Sequence, residues 1–224
     1  MNNLLKDTFN KILDLLLPQK CIGCGISGEL FCEECLYGAK KCEKYLGDDT
    51  FAVFSYKDKN IKKAISLIKY KGVKYMTPPL AKYIYDLALE EISQIKMMSG
   101  NNIDEKIIVI PVPLHKSRLK TRGFNQSELI ARQFLKLDTG NSFFLDTESL
   151  ERVKETESQV KTDGREKRLV NLKDAFCVPY PENVKNKIIL LVDDVITTGA
   201  TIDECRKTLK NAGARKVFAV AIAH

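Results

Sequence analysis

The residues with the plainest capacity for chemistry are two adjacent aspartates, Asp193 and Asp194, within the stretch ILLVDDVITTGAT that runs from Ile189 to Thr201. Neighbouring carboxylates accept hydrogen bonds from the two hydroxyls of a diol. The residues that follow, Thr197, Thr198, Gly199, Ala200 and Thr201, are small or carry hydroxyls. A turn of that composition wrapping into a helix start offers backbone N–H groups and the positive end of the helix dipole to an anion. Diol acceptors beside a phosphate cradle are what a sugar phosphate requires. The element that must position them is the apolar run from Ile188, which has the length and β-branched content of a buried parallel strand. Such a strand delivers its last residues to the carboxyl edge of a sheet, where open α/β folds bind ligands.

A second constellation lies near the other end. Cys21 and Cys24 form one C-x-x-C pair, and Cys32 and Cys35 form another. Each pair makes a tight knuckle placing two thiolates on one metal, and two knuckles complete a tetrahedral Zn²⁺ shell with no place left for catalytic water. Structural zinc leads this reading, with a redox dithiol or a disulfide as the competing ones. Seven cysteines is an odd count, which fits a reduced, cytoplasmic setting better than a disulfide framework. Cys42 reads as a spare thiol, and Cys177 and Cys205 as packing residues. Lysine and tyrosine interleave at Lys69-Tyr70-Lys71 and Lys74-Tyr75, a pattern that lets bases stack while phosphates are neutralised, although packed tyrosines among solvated lysines give the same pattern.

The elements between these motifs alternate. Leu5, Phe9, Ile12, Leu13 and Leu16 recur at helical spacing before Pro18. A segment Lys40 to Asp49 reads as a linker, Phe51 to Tyr56 as a strand, and Ile61, Ala64, Ile65 and Ile68 as one face of a helix. A long helix opens at Pro78-Pro79, a strand runs from Ile107 to Ile110 into a loop, and Ser127 to Leu137 is helical in period. Glu151 to Arg168 is almost wholly polar and reads as a lid or an unstructured loop. An extended segment is expected from Asn171 to Phe176, a helix from about Ile202 to Asn211 with Gly213 behind it, and a last strand over Val217 to Ala223. Strand and helix in alternation predict a parallel sheet flanked by helices. The expected division is 1–48 for the N-terminal helix and four-cysteine module and 49–224 for the α/β domain. With 44% apolar and 29% charged residues the chain reads as an ordinary soluble one, and no stretch is long and apolar enough to span a membrane. The net charge of +7 permits nucleic acid or phosphorylated ligands without requiring them. The G-x-x-x-x-G-K-[ST] loop of ATP-driven motors and the G-x-G-x-x-G of dinucleotide binding are both absent.

The aspartate stretch resembles the phosphoribosyl pyrophosphate motif of type I phosphoribosyltransferases. Taken with the four cysteines, with PVPLHKSRLKTRGFNQ from Pro111 to Gln126, and with Gln159 and Arg168-x-x-Asn171, the chain resembles the ComF family of late-competence proteins from Cys21 onwards. The resemblance implies a type I phosphoribosyltransferase-like sheet with a small N-terminal zinc module. It implies that Asp193 and Asp194, the catalytic candidates, hold the ribose hydroxyls, with Val195, Thr197, Thr198, Gly199, Ala200 and Thr201 around the 5′-phosphate. Leu114, His115 and Lys116 would lie against the pyrophosphate, Mg²⁺ would accompany it, and Arg118, Arg122, Lys167 and Arg168 would contact phosphate or nucleic acid. His115 is more simply a phosphate contact or surface residue than an acid–base catalyst. Where the family usually has leucine, three residues after Gln159, this chain has Thr162. The implied function is handling of single-stranded DNA during natural transformation, alongside a competence helicase or uptake proteins. The alternative is an active transferase that moves phosphoribosyl to an acceptor.

Overall fold

The computed structural model describes residues 19–43, 46–47, 49–99, 106–155 and 172–224. Five parallel strands form the main sheet: β1 (Thr50–Phe54), β2 (Ile107–Pro111), β3 (Phe143–Leu145), β6 (Ile188–Val195) and β7 (Lys216–Ala223), in the order β1-β7-β6-β2-β3. A two-stranded antiparallel ribbon, β4 (Glu151–Arg152) with β5 (Phe176–Cys177), stands apart from it. The expected α/β class and parallel sheet are present. β6 pairs in parallel with β2 and β7 at its edges, and hydrophobic clusters cover both of its faces, the condition that lets a strand be apolar without alternation.

Side chains of β6 still alternate between two cores. Ile188, Leu190 and Val192 join a cluster built with α2 (Lys59–Lys71), α3 (Thr77–Ser99) and α5 (Gln126–Leu137); its members include Ile65, Ile84 and Phe134. Ile189 and Leu191 join the opposite cluster with Ile202, Cys205 and Leu209 of α7 (Ala200–Asn211). The parity continues past the apolar run, so Asp193 and Asp194 project to opposite faces of the sheet at its carboxyl edge.

Local sequence explains where the helices begin and stop. Asp58 caps α2 by accepting from the N–H groups of Asn60 (2.8 Å) and Ile61 (3.1 Å), and Gly72 ends it at φ 63°. That end sets Lys69 and Tyr70 at the sheet edge. Several elements differ from the sequence expectation. A helix, α4 (Lys116–Arg122), follows β2 after a four-residue loop, capped by His115, whose Nδ1 faces the Ser117 N–H. The described part of the segment expected to be extended starts with a helical residue and a turn at Leu172 to Asp174, where Asp174 has φ 56°, and only Phe176 and Cys177 form a strand. α7 begins at Ala200 rather than near Ile202. The short helix α6 (Pro181–Val184) was not expected.

The cysteine module is joined to the sheet along the span read as a linker. Lys41 bridges Phe54 in antiparallel sense, the Cys42 N–H donates to Val53 O (3.0 Å), and the Ser55 N–H donates to Lys40 O (2.8 Å). This pairing covers the outer edge of β1, and Phe31, Leu36 and Ala39 enter the same core as Phe54. α1 (Glu33–Tyr37) begins directly after Cys32. The helix expected over Leu5 to Leu16 lies outside the described residues.

Phe134 is fully buried, edge-on to both Tyr85 (5.0 Å) and Phe143 (4.9 Å). Phe134→Ala is expected to destabilise the fold by about 3–5 kcal/mol, read as a lower urea midpoint with an unchanged slope.

Candidate functional site

β6 ends with Asp193 half-buried and Asp194 buried. Asp193 Oδ1 accepts from Ser127 Oγ (2.8 Å), at the start of α5, and from the Asp194 N–H (2.8 Å). Asp194 Oδ2 lies 2.9 Å from Lys69 Nζ, with 5% and 21% of the two side chains exposed. Lys69 is the neighbour that compensates this buried oxygen, since no other donor among the described residues reaches it, so a hydroxyl-bearing ligand that takes it meets the ammonium there.

The charges act on one another. Burial and the adjacent charge of Asp194 push the Asp193 carboxyl up to about 7, against Lys69 and the two hydrogen bonds, which act to lower it. Burial works to lower the Lys69 ammonium, but the fields of Asp194 and Asp193 outweigh it and hold Lys69 above the ordinary lysine value.

Behind the aspartates the Thr197–Thr201 span turns into α7 through Gly199 at φ 83°, a left-handed conformation that favours glycine. The Ala200 N–H reaches Thr198 Oγ1 at 3.5 Å, and Thr201 stands in the first helical turn. This places the helix start at the same sheet edge as the carboxylates. Val195 is the last residue of β6. Leu114, His115 and Lys116 pass from the loop after β2 into α4. His115 Nδ1 is 2.9 Å from Ser117 Oγ, and that hydroxyl donates to Glu155 Oε1.

Arg118 lies on α4 within range of Arg152 on β4; burial first, and then Arg118, lower the Arg152 guanidinium. Arg122 donates to Gln126 Oε1 and sits 5.7 Å over the Tyr70 ring. Lys167 and Arg168, with Gln159 and Asn171, fall outside the described residues. Lys69, Ser127 and Arg152 were not expected at this site. Lys69 was read only as part of a lysine–tyrosine pattern, and nothing local in the sequence signals that it meets a residue 125 positions later.

The second site is the cysteine cluster. The Sγ atoms of Cys21, Cys24, Cys32 and Cys35 all lie within 4.8 Å of one another, with Cys21–Cys32 at 3.5 Å and Cys24–Cys32 at 3.7 Å. Sulfurs about 2.3 Å from a shared tetrahedral metal stand roughly 3.8 Å apart, so the donor set fits one metal ion. Cys21 Sγ also takes the N–H groups of Gly23 and Cys32, both at 3.4 Å. A Cβ at Gly23 would stand 2.7 Å from Cys35 Sγ; only glycine leaves the fourth sulfur in place. Cys42, Cys177 and Cys205 stand apart from this cluster.

Folding raises the Asp193 carboxyl from 3.8 to about 7, so its contribution to stability is fully present below the unfolded value and is lost as pH rises through the folded one. Asp193→Asn keeps an oxygen for Ser127 but cannot ionise. Its melting temperature should exceed that of the wild-type protein at pH 8, with the gap closing towards pH 4; parallel melts across that range test this.

Comparison with known proteins agrees with the geometry. Residues 119–224 match the phosphoribosyl transferase domain family, a span that holds both aspartates, Ser127 and the α7 start. Competence protein F of Haemophilus influenzae is 29% identical over 209 residues, covering 88% of this chain and 86% of that protein. Competence protein ComFC of Streptococcus pneumoniae is 29% identical over 191 residues, covering 83% and 71%. DNA utilization protein YhgH of Escherichia coli K12 is 32% identical over 138 residues, covering 62% of this chain and 57% of that protein. The chain is thus similar over most of its length to competence proteins F and ComFC, and its residues 119–224 carry a phosphoribosyltransferase-type domain.

Proposed function

We propose that the Asp193/Asp194 site binds phosphoribosyl pyrophosphate with Mg²⁺, in a protein that handles single-stranded DNA during natural transformation. The observation that carries the donor assignment is the buried Asp194 carboxylate, met by Lys69 at 2.9 Å and standing with Asp193 at the same sheet edge as the α7 start. The two carboxylates take the ribose hydroxyls, and the Thr197–Thr201 turn takes the 5′-phosphate. Leu114 to Lys116 lie against the pyrophosphate, with Arg118 and Arg152 adding positive charge on that side of the ribbon. Mg²⁺, when bound with the donor, neutralises pyrophosphate charge. The DNA role is supported by the competence and DNA-utilization names of the relatives, by the net charge of +7 and by exposed tyrosines among lysines. Helicase or uptake proteins of the same process are the expected partners. No helix among the described residues is long and apolar enough to cross a membrane, and four thiols free of disulfides suit a reduced cytoplasmic setting.

Calorimetric titration with the donor and Mg²⁺ should give saturable heat that Asp193→Ala/Asp194→Ala abolishes; no heat with the wild-type protein would overturn the assignment. Release of pyrophosphate in the same mixture, on addition of candidate acceptors, would extend the function to transfer.

The four-cysteine cluster holds structural Zn²⁺ in this reading. One equivalent of zinc should therefore be found by metal analysis. Chelation should lower the melting temperature markedly, because the module shares a core with Phe54 and covers the edge of β1. Gly23→Ala should lose the metal with all four cysteines intact.

A further inference from the structure

The end of α2 and the RGFNQS segment, far apart in sequence, meet above the aspartates and form one surface. Tyr70 is 76% exposed and Tyr75 64% exposed, far more than rings that serve a core. Arg122 lies 5.7 Å over the Tyr70 ring, and Lys74 Nζ lies 5.8 Å over Phe124. Tyr70 and Phe124 therefore each have a cation beside them, and Tyr70 keeps most of its surface open. Gly72 turns the chain at φ 63° with Phe124 beside it, where a Cβ would stand 3.5 Å from the ring. Open aromatic faces interleaved with cations are what a single strand uses, since unpaired bases stack on rings while phosphates meet the charges. A duplex hides its base faces and cannot use such a surface.

The same surface is fastened to the acidic pair from two directions. Lys69, next to Tyr70, holds Asp194 at 2.9 Å. Arg122, which covers Tyr70, donates to Gln126, whose neighbour Ser127 holds Asp193 at 2.8 Å. The contacts close a circuit from Asp194 through Lys69, Tyr70, Arg122, Gln126 and Ser127 back to Asp193.

We propose that the face made by Tyr70, Lys74, Tyr75, Arg122 and Phe124 seats a single-stranded nucleic acid, and that Lys69 and Ser127 couple its occupancy to that of the aspartate site. The coupling rests on the donor reading given above. A ligand whose hydroxyls take the aspartate oxygens competes with the ammonium and hydroxyl that hold the two arms. The surface then loses its fixed geometry and binds the strand less well, and by linkage the strand weakens the donor to the same degree.

The test is anisotropy of a labelled thymidine 20-mer, with ribo- and duplex versions alongside, at low salt, with and without phosphoribosyl pyrophosphate and Mg²⁺; donor binding is followed separately by calorimetry. Tyr70→Ala/Tyr75→Ala should weaken the single strand about fivefold or more and leave the donor heat unchanged. In the wild-type protein the donor should weaken the strand about fivefold or more. That effect should disappear in Lys69→Met, or in Ser127→Ala should Lys69→Met not fold. Whether DNA or RNA binds more tightly identifies the natural strand. Equal strand affinity in the tyrosine variant, or duplex binding as tight as single-strand binding, would overturn the surface assignment. Strand affinity indifferent to a donor that does bind would overturn the coupling. Absent donor heat would instead strike the donor reading, and the tyrosine result would still decide the surface.

Discussion

Asp194 is 5% exposed and sits beside a second carboxylate at the end of a strand that is otherwise apolar. Two like charges in that position oppose folding, through loss of hydration and mutual repulsion. Lys69 opposes both: its ammonium at 2.9 Å neutralises one carboxylate and favours the charged form of the other. Removing one partner of a buried pair costs about 3–5 kcal/mol in typical cases, a large share of the stability of a domain this size. The rest of the site depends on this contact, because it fixes the last turn of α2 over the carboxyl edge of the sheet. The capping by Asp58 and the left-handed stop at Gly72 set which turn that is.

The cysteine module has a comparable relation to the far side of the sheet. β1 is an edge strand, and the 40–42 segment pairs along it before the chain enters β1 itself. An exposed parallel edge is a template for unwanted pairing. Here the edge is closed by the segment that follows the four-cysteine cluster, with Lys41 lying 4.3 Å over Phe54 and 4.4 Å over Tyr83. A metal ion held by the four cysteines would thus be linked to sheet integrity through a few hydrogen bonds.

Four strands of the main sheet, all but β3, and the long helices were legible because each rests on a local pattern. Ile188 to Val192 is a run, Ile61 to Ile68 is a period, and Gly213 is a stop. What was not legible depends on distance. α4 follows a proline-rich loop and has no buried residue to give it a period; its start is set by the His115 cap. β3 has three residues, and only Phe143 is buried, too little for alternation to show. The aspartates and the threonine turn were found from composition alone, whereas Lys69 and Ser127 were not, because a counter-ion supplied by another element leaves no trace in its own neighbourhood. Gly23 belongs to the same class: its need for a bare Cα comes from Cys35, twelve residues away.

The parity of β6 limits what the acidic pair can do. Consecutive strand residues face opposite ways, so Asp193 and Asp194 cannot act as two carboxylates clamped on one proton, the arrangement of an acid–base dyad. They are held by different elements, Asp193 by the start of α5 and Asp194 by the end of α2. A ligand that engages both must span the strand end. In the donor reading proposed above the pair grips the ribose diol, and bond-making would draw on the ligand's own leaving group and the cationic residues around it.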